Sequence, residues 1–142
     1  MPKGNVLQFF ETHFILESMT QPLALVLYEK LLPGSQLANR LRDLNYRVQT
    51  LSDTEALVHS ARQDKPLLAL VDLVSRRENV CAAISQLRQE PETQHIPVIA
   101  FAPEKSMDLQ RAAREAGANL VVSEAALLTH LDQFLEQALQ IE

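Results

Sequence analysis

The chain has 142 residues, enough for one domain whose core stands without disulfides or metals. With 46% apolar and 22% charged residues it is neither disordered nor fibrous, and a net charge of −5 gives no general attraction to nucleic-acid phosphates or anionic lipid. The single Cys81 excludes an intramolecular disulfide, and no apolar run approaches the ~20 residues that span a bilayer. The start lacks the basic, apolar and small-residue pattern of a secretory leader, so a cytoplasmic protein is expected.

The first segment, Asn5 to Met19 (NVLQFFETHFILESM), holds three of the five phenylalanines. Val6, Phe10, Phe14 and Ile15 fall on one side of a helix, with Leu7, Phe9 and Leu16 elsewhere, and such a segment is too apolar for a solvated tail. Residues 1–21 are therefore expected to form a helical extension that packs on the domain or swaps across a dimer. Met19 offers an alternative start. Residues 22–142 form the expected single domain.

Five short runs bounded by Pro, Gly, Asn, Asp or Ser then predict strands: Leu23–Leu27 (LALVL), Arg47–Leu51 (RVQTL), Leu67–Val71 (LLALV), Pro97–Phe101 (PVIAF) and Leu120–Val122 (LVV). The first, third and fourth are almost wholly apolar, as parallel strands covered on both faces must be; the second alternates and suits an edge. Between them helical spacing recurs: Leu37, Leu41, Leu44; Ala56, Leu57, Ala61; Val80, Ala83, Ile84, Leu87; Leu109, Ala112, Ala113, Ala116. A last helix would carry Leu127, Leu131, Phe134, Leu135, Ala138 and Leu139 on one stripe. Pro33 and Ser35 open the first of these helices, Ser52 or Asp53 caps the second, Pro91 follows the third and Gly117 closes the fourth. Alternation with right-handed crossovers predicts an α/β doubly wound five-stranded parallel sheet, flavodoxin-like, in the order 2-1-3-4-5. In that order Glu29, after the first strand, and Asp72, after the third, meet at the switch point where ligands of such folds sit.

With these elements in place, "LANRLRDLNYRV", "LLALVDLV", "HIPVIAFAP" and "AAREAGANLVVSEAAL" together resemble the receiver domain of two-component response regulators, CheY-like in fold, over roughly Pro22 to Ile141. A flavodoxin-like domain without phosphotransfer is the competing reading. The resemblance assigns Asp72 to the phosphoacceptor position. It places Tyr28 and Glu29 where the family carries a metal-binding pair of acids, Ala102 where it carries a hydroxyl, and Glu124 where it carries a lysine. Arg76 replaces the usual proline, and Leu120–Val122 lacks the aromatic switch residue. One acid of the pair, the hydroxyl and the cation are thus missing, which implies a degenerate pseudo-receiver.

Charge makes these losses matter, because transfer to an aspartate works through positioning and neutralisation. Replacing Lys by Glu at about 6 Å turns an attraction of roughly 3 kcal/mol per phosphate charge, at an effective dielectric of 20, into a repulsion of similar size. Asp72 is then read as an inherited position that caps the following turn or pairs with a cation, with Lys30, Arg76, Arg77 and Lys105 available to take the metal's place.

No enzyme, cofactor or metal site is expected. His13, His59, His95 and His130 have no ligand spacing, and the three glycines form no phosphate loop. The expected function is a signalling module acting through protein contacts without ordinary phosphorylation. Its surfaces would be the N-terminal helix and the family's fourth-helix, fifth-strand, fifth-helix face, here Met107–Glu115 and Leu127–Ile141, binding a partner protein or a second copy; Leu128, off the main stripe, either belongs to an exposed patch or, the favoured reading, only shields the sheet edge. The alternative is an atypical receiver that accepts phosphate on Asp72. A third reading makes the crevice a small-ligand pocket lined by Tyr28 and Phe101.

Overall fold

Strands β1 (Leu23–Leu27), β3 (Leu68–Asp72) and β4 (Val98–Ala102) expose no residue. Strands of this kind must be covered on both faces, and the computed structural model, which describes residues 21–76 and 78–140, shows how. β2 (Arg47–Leu51) and β5 (Leu120–Ser123) complete a five-stranded sheet in the order β2-β1-β3-β4-β5, every neighbouring pair parallel. The doubly wound order is thus the expected one. β2 is an edge strand, as expected, with Arg47 and Thr50 exposed and Val48, Gln49 and Leu51 half-buried. The expected N-terminal helix lies outside the described residues.

Helices α1 (Leu31–Asp43), α2 (Thr54–Asp64), α3 (Val80–Gln89) and α4 (Met107–Ala116) follow the first four strands. Alternate strand residues sort into two cores. Leu25, Leu27, Ala69, Val71 and Ala100 meet Leu57 and Ala61 of α2, Ile84 and Leu87 of α3 and Ala113 of α4. Ala24, Val26, Leu70, Ile99 and Phe101 face the other way, onto Leu37 and Leu41 of α1.

Local signals set the helix ends. Leu32 has extended dihedrals (φ −110°, ψ 135°), so the regular part of α1 begins at Pro33, after a cis Leu32–Pro33 bond. Of Ser52 and Asp53 it is Asp53 that caps α2, accepting from the Ala56 amide at 2.7 Å; Asn79 caps α3 by accepting from Ala82 at 3.1 Å. Gly117 closes α4 at φ +108°, the left-handed conformation that glycine adopts without strain.

The last helix departs from expectation. It is broken at His130 into α5 (Glu124–Thr129) and α6 (Leu131–Gln140), the Ser123 hydroxyl capping α5 by accepting from Ala126 at 3.2 Å. The buried stripe continues across the break: Leu127, Leu131, Leu135 and Ala138 are buried, Phe134 is half-buried and Leu139 is exposed. Leu128 is not an exposed patch residue but packs half-buried against the α1-side core, and its carbonyl accepts from Arg40 Nη1 at 3.0 Å.

A lock at the lower end of the sheet has no sequence motif. Arg88, half-buried on α3, donates to the Gly117 carbonyl and the Gln94 carbonyl, each at 2.7 Å, and to Asn119 Oδ1. The same Asn119 oxygen accepts from the Val98 amide at 2.8 Å, so α3, β4 and the approach to β5 share one node. Burial pushes the guanidinium below its ordinary pKa. Hydrogen bonds from a charged donor contribute roughly 1.5 to 3 kcal/mol. Arg88→Met is expected to lower stability by about 2 to 3 kcal/mol in denaturant titrations, with the slope unchanged.

Candidate functional site

Because β1 and β3 are neighbours, their carboxyl ends deliver Tyr28, Glu29 and Asp72 to one crevice, as the strand order demands. β3 runs one position later than the expected Leu67–Val71, so that Asp72, expected just after the strand, is its last residue, paired with Phe101 and only 5% exposed. Its Oδ1 accepts from the Val74 amide at 3.0 Å, which makes it the cap of the following turn. Burial is the chief cause that raises its pKa; the Val74 bond opposes this, Glu124 adds to it, Lys30 opposes it and Glu29 adds to it. The carboxyl therefore prefers its proton more than an ordinary aspartate does.

Glu29 is tied to the loop after β3. Its Oε1 accepts from the Ser75 hydroxyl at 2.5 Å and its Oε2 from the Arg76 amide at 3.3 Å. Ser75 Oγ in turn accepts from the Glu78 amide at 3.1 Å, and Glu78 Oε2 accepts from the Thr54 amide at 2.6 Å, at the start of α2. Side chains thus join the loops after β1, β2 and β3 into one relay. Ser75 and Glu78 carry no expected role from the sequence. The signal available was their spacing of three, the pattern in which a side chain caps the turn behind it.

Tyr28 has turned away from metal chemistry. Its ring lies over Gly34, so near that a Cβ there would collide with Cδ2 and Cγ, and the ring packs against the α1-side core. Gly34 is required by this close approach as well as by the helix opening. Ala102 ends β4 fully buried and offers no hydroxyl. Glu124 opens α5 and acts on Asp72 through its charge. Of the four cations considered, Lys30 is the one whose field reaches Asp72; Arg76 contributes its backbone amide while its side chain is exposed, Lys105 is exposed, and Arg77 lies outside the described residues.

A divalent cation does not fit this arrangement. The crevice holds about 10 Å³ of free space, room for roughly one water. Asp72 Oδ1 and both Glu29 carboxylate oxygens accept protein hydrogen bonds, and among the described residues no group of three His, Cys, Asp or Glu side chains is placed to hold a metal. Nor does a small ligand fit, and Phe101 is fully buried in the core instead of lining a pocket, which corrects the third reading of the sequence. His59, His95 and His130 are exposed, and His13 lies outside the described residues. Among the described residues no helix is long and apolar enough to cross a membrane.

The fold is that of response-regulator receiver domains. A response regulator from Chloroflexus aurantiacus superposes with a TM-score of 0.78 at 18% identity, covering 84% of this chain and 98% of that one. The chemotaxis response regulator CheY4 of Vibrio cholerae gives 0.74 at 15% identity, covering 84% and 99%. The receiver domain of a sensor histidine kinase from Pseudomonas aeruginosa, solved with magnesium coordinated in its active-site cleft, gives 0.77 at 19% identity over 84% and 98%. No family model matches the sequence, and no curated protein matches it.

Two outcomes follow from this geometry. A raised carboxyl pKa means that the folded state disfavours the ionised form. The penalty is present at neutral pH and vanishes once both folded and unfolded chains are protonated. Asp72→Asn, which keeps an oxygen for Val74, is expected to raise the melting temperature at pH 7 and to lose that advantage as pH falls below the ordinary carboxylate range. Ser75→Ala breaks the relay and should cost about 1 kcal/mol, with faster amide exchange at Arg76 and Glu78.

Proposed function

We propose that this chain is a receiver-fold signalling module of two-component type that acts through protein contacts and does not use ordinary aspartyl phosphorylation. The observation that carries the reading is the closed crevice, in which Asp72 sits desolvated between the fields of Glu29 and Glu124 with space for about one water. A phosphoryl group adds roughly two negative charges and needs cations and room to settle. The relay through Glu29, Ser75 and Glu78 supports the same reading, because it holds the three loops together without a metal. On this reading the module catalyses nothing of its own, works in the cytoplasm, and passes information by docking a protein or a second copy, with the half-buried β5 and the exposed start of α4 at Met107 available as surface.

Incubation with acetyl phosphate and magnesium, read by intact mass, tests the proposal. The expected result is labelling at least about a hundredfold slower than an ordinary receiver, equivalent to about 2.7 kcal/mol of added barrier. Rapid, magnesium-dependent addition of one phosphoryl group that disappears in Asp72→Asn would instead establish an atypical acceptor.

A further inference from the structure

At the end of the sheet opposite Asp72, the chain enters β1 through Gln21 and Pro22. That entry is flanked on both sides: the Arg47 amide donates to the Pro22 carbonyl and the Leu67 amide to the Leu23 carbonyl, each at 2.8 Å. Large apolar side chains stand open along this lower rim. Leu44 is 39% and Leu67 40% exposed, and Tyr46 is half-buried between the end of α1 and the start of β2, where burial raises its phenol pKa. Gln21, Leu23, Tyr46 and Val48, with Arg42 and Arg47 at the margin, line an open depression of 550 Å³.

We infer that residues 6–16 of the same chain dock on this lower rim. This stretch carries Val6, Leu7, Phe9, Phe10, Phe14, Ile15 and Leu16, apolar area that needs cover. The position of the tether selects the site, because the described chain starts at Gln21 in the rim itself, and the five residues 17–21 span at most about 17 Å when extended. That distance covers the rim. The other exposed apolar pair, Leu31 and Leu32, lies beyond the far end of β1, a further five residues at roughly 3.3 Å each. Charge agrees with this placement: residues 5–19 contain Glu11 and Glu17 and no Lys or Arg, whereas the rim presents three cations, Arg42, Arg47 and Lys65, against two acids, Asp43 and Asp64. Tethering beside the rim gives the segment a local concentration in the millimolar range, so modest contacts suffice. The inference does not depend on whether Asp72 accepts phosphate.

Disulfide trapping in the full chain, in a Cys81→Ser background, tests it. Phe14→Cys is combined either with Leu44→Cys at the rim or with Leu31→Cys at the opposite end; Phe10→Cys with Leu67→Cys serves as an independent rim pair. Under mild oxidation with copper phenanthroline the rim pairs are expected to close within one chain at least about tenfold faster than the Leu31 pair, read by intact mass and non-reducing gels. Arg42→Glu with Arg47→Glu should slow that closure. Equal rates, faster closure at Leu31, or disulfides formed chiefly between chains would overturn docking within the chain, the last result assigning the rim to a second copy.

Discussion

Covering both faces of β1, β3 and β4 is the constraint from which the rest of this structure follows. Strands with no exposed residue leave helices no choice of side, and parallel pairing forces each connection to cross the sheet. All strand ends of one polarity therefore collect at one end of the molecule. The crossing from β1 to β2 on one side and to β3 on the other opens a seam there. Glu29 and Asp72 stand in that seam whether or not the chemistry beneath them functions.

Two effects in the crevice reinforce each other. Desolvation makes the Asp72 charge costly, and the nearby Glu124 and Glu29 raise that cost, with the Val74 amide and Lys30 opposing it. A metal ion resolves such a conflict by neutralisation, and the Pseudomonas aeruginosa receiver domain holds magnesium in its cleft. Here neutral donors do part of the work: the Ser75 hydroxyl and the Arg76 amide bind Glu29, and the Thr54 amide binds Glu78. Such donors satisfy lone pairs without cancelling charge. They fix the loops in place while leaving the electrostatic reason for a displaced Asp72 proton equilibrium intact.

Strand order, edge position and the helix boundaries at Pro33, Asp53 and Gly117 were legible in the sequence because each depends on local periodicity or on one residue's turn chemistry, whereas the Asn79 and Ser123 caps were not read. Leu23–Leu27 and Arg47–Leu51 have the bounds that their composition predicts, and Asp72 and Glu29 converge as the topology requires. The relay was not legible, since Ser75 to Glu29 and Glu78 to Thr54 join residues 46 and 24 positions apart and read in sequence as solvated loop. The break at His130 escaped for a different reason. Leu127, Leu131, Leu135 and Ala138 keep helical spacing straight through it, and periodicity records the buried face without recording a change of axis. Arg88 stands in no motif, although its head reaches three partners across the lower end of the sheet.

The ring of Tyr28 over Gly34 binds two positions into a single choice of shape. A glycine opposite an aromatic side chain fills no part of the gap that a smaller residue at 28 would leave, and a larger residue at 34 would evict the ring. An acid installed at position 28 alone would therefore arrive with a void beside it. Recovering a pair of acids at this corner of the fold demands a coordinated exchange on α1, so among relatives of this chain the identities at 28 and 34 should change together.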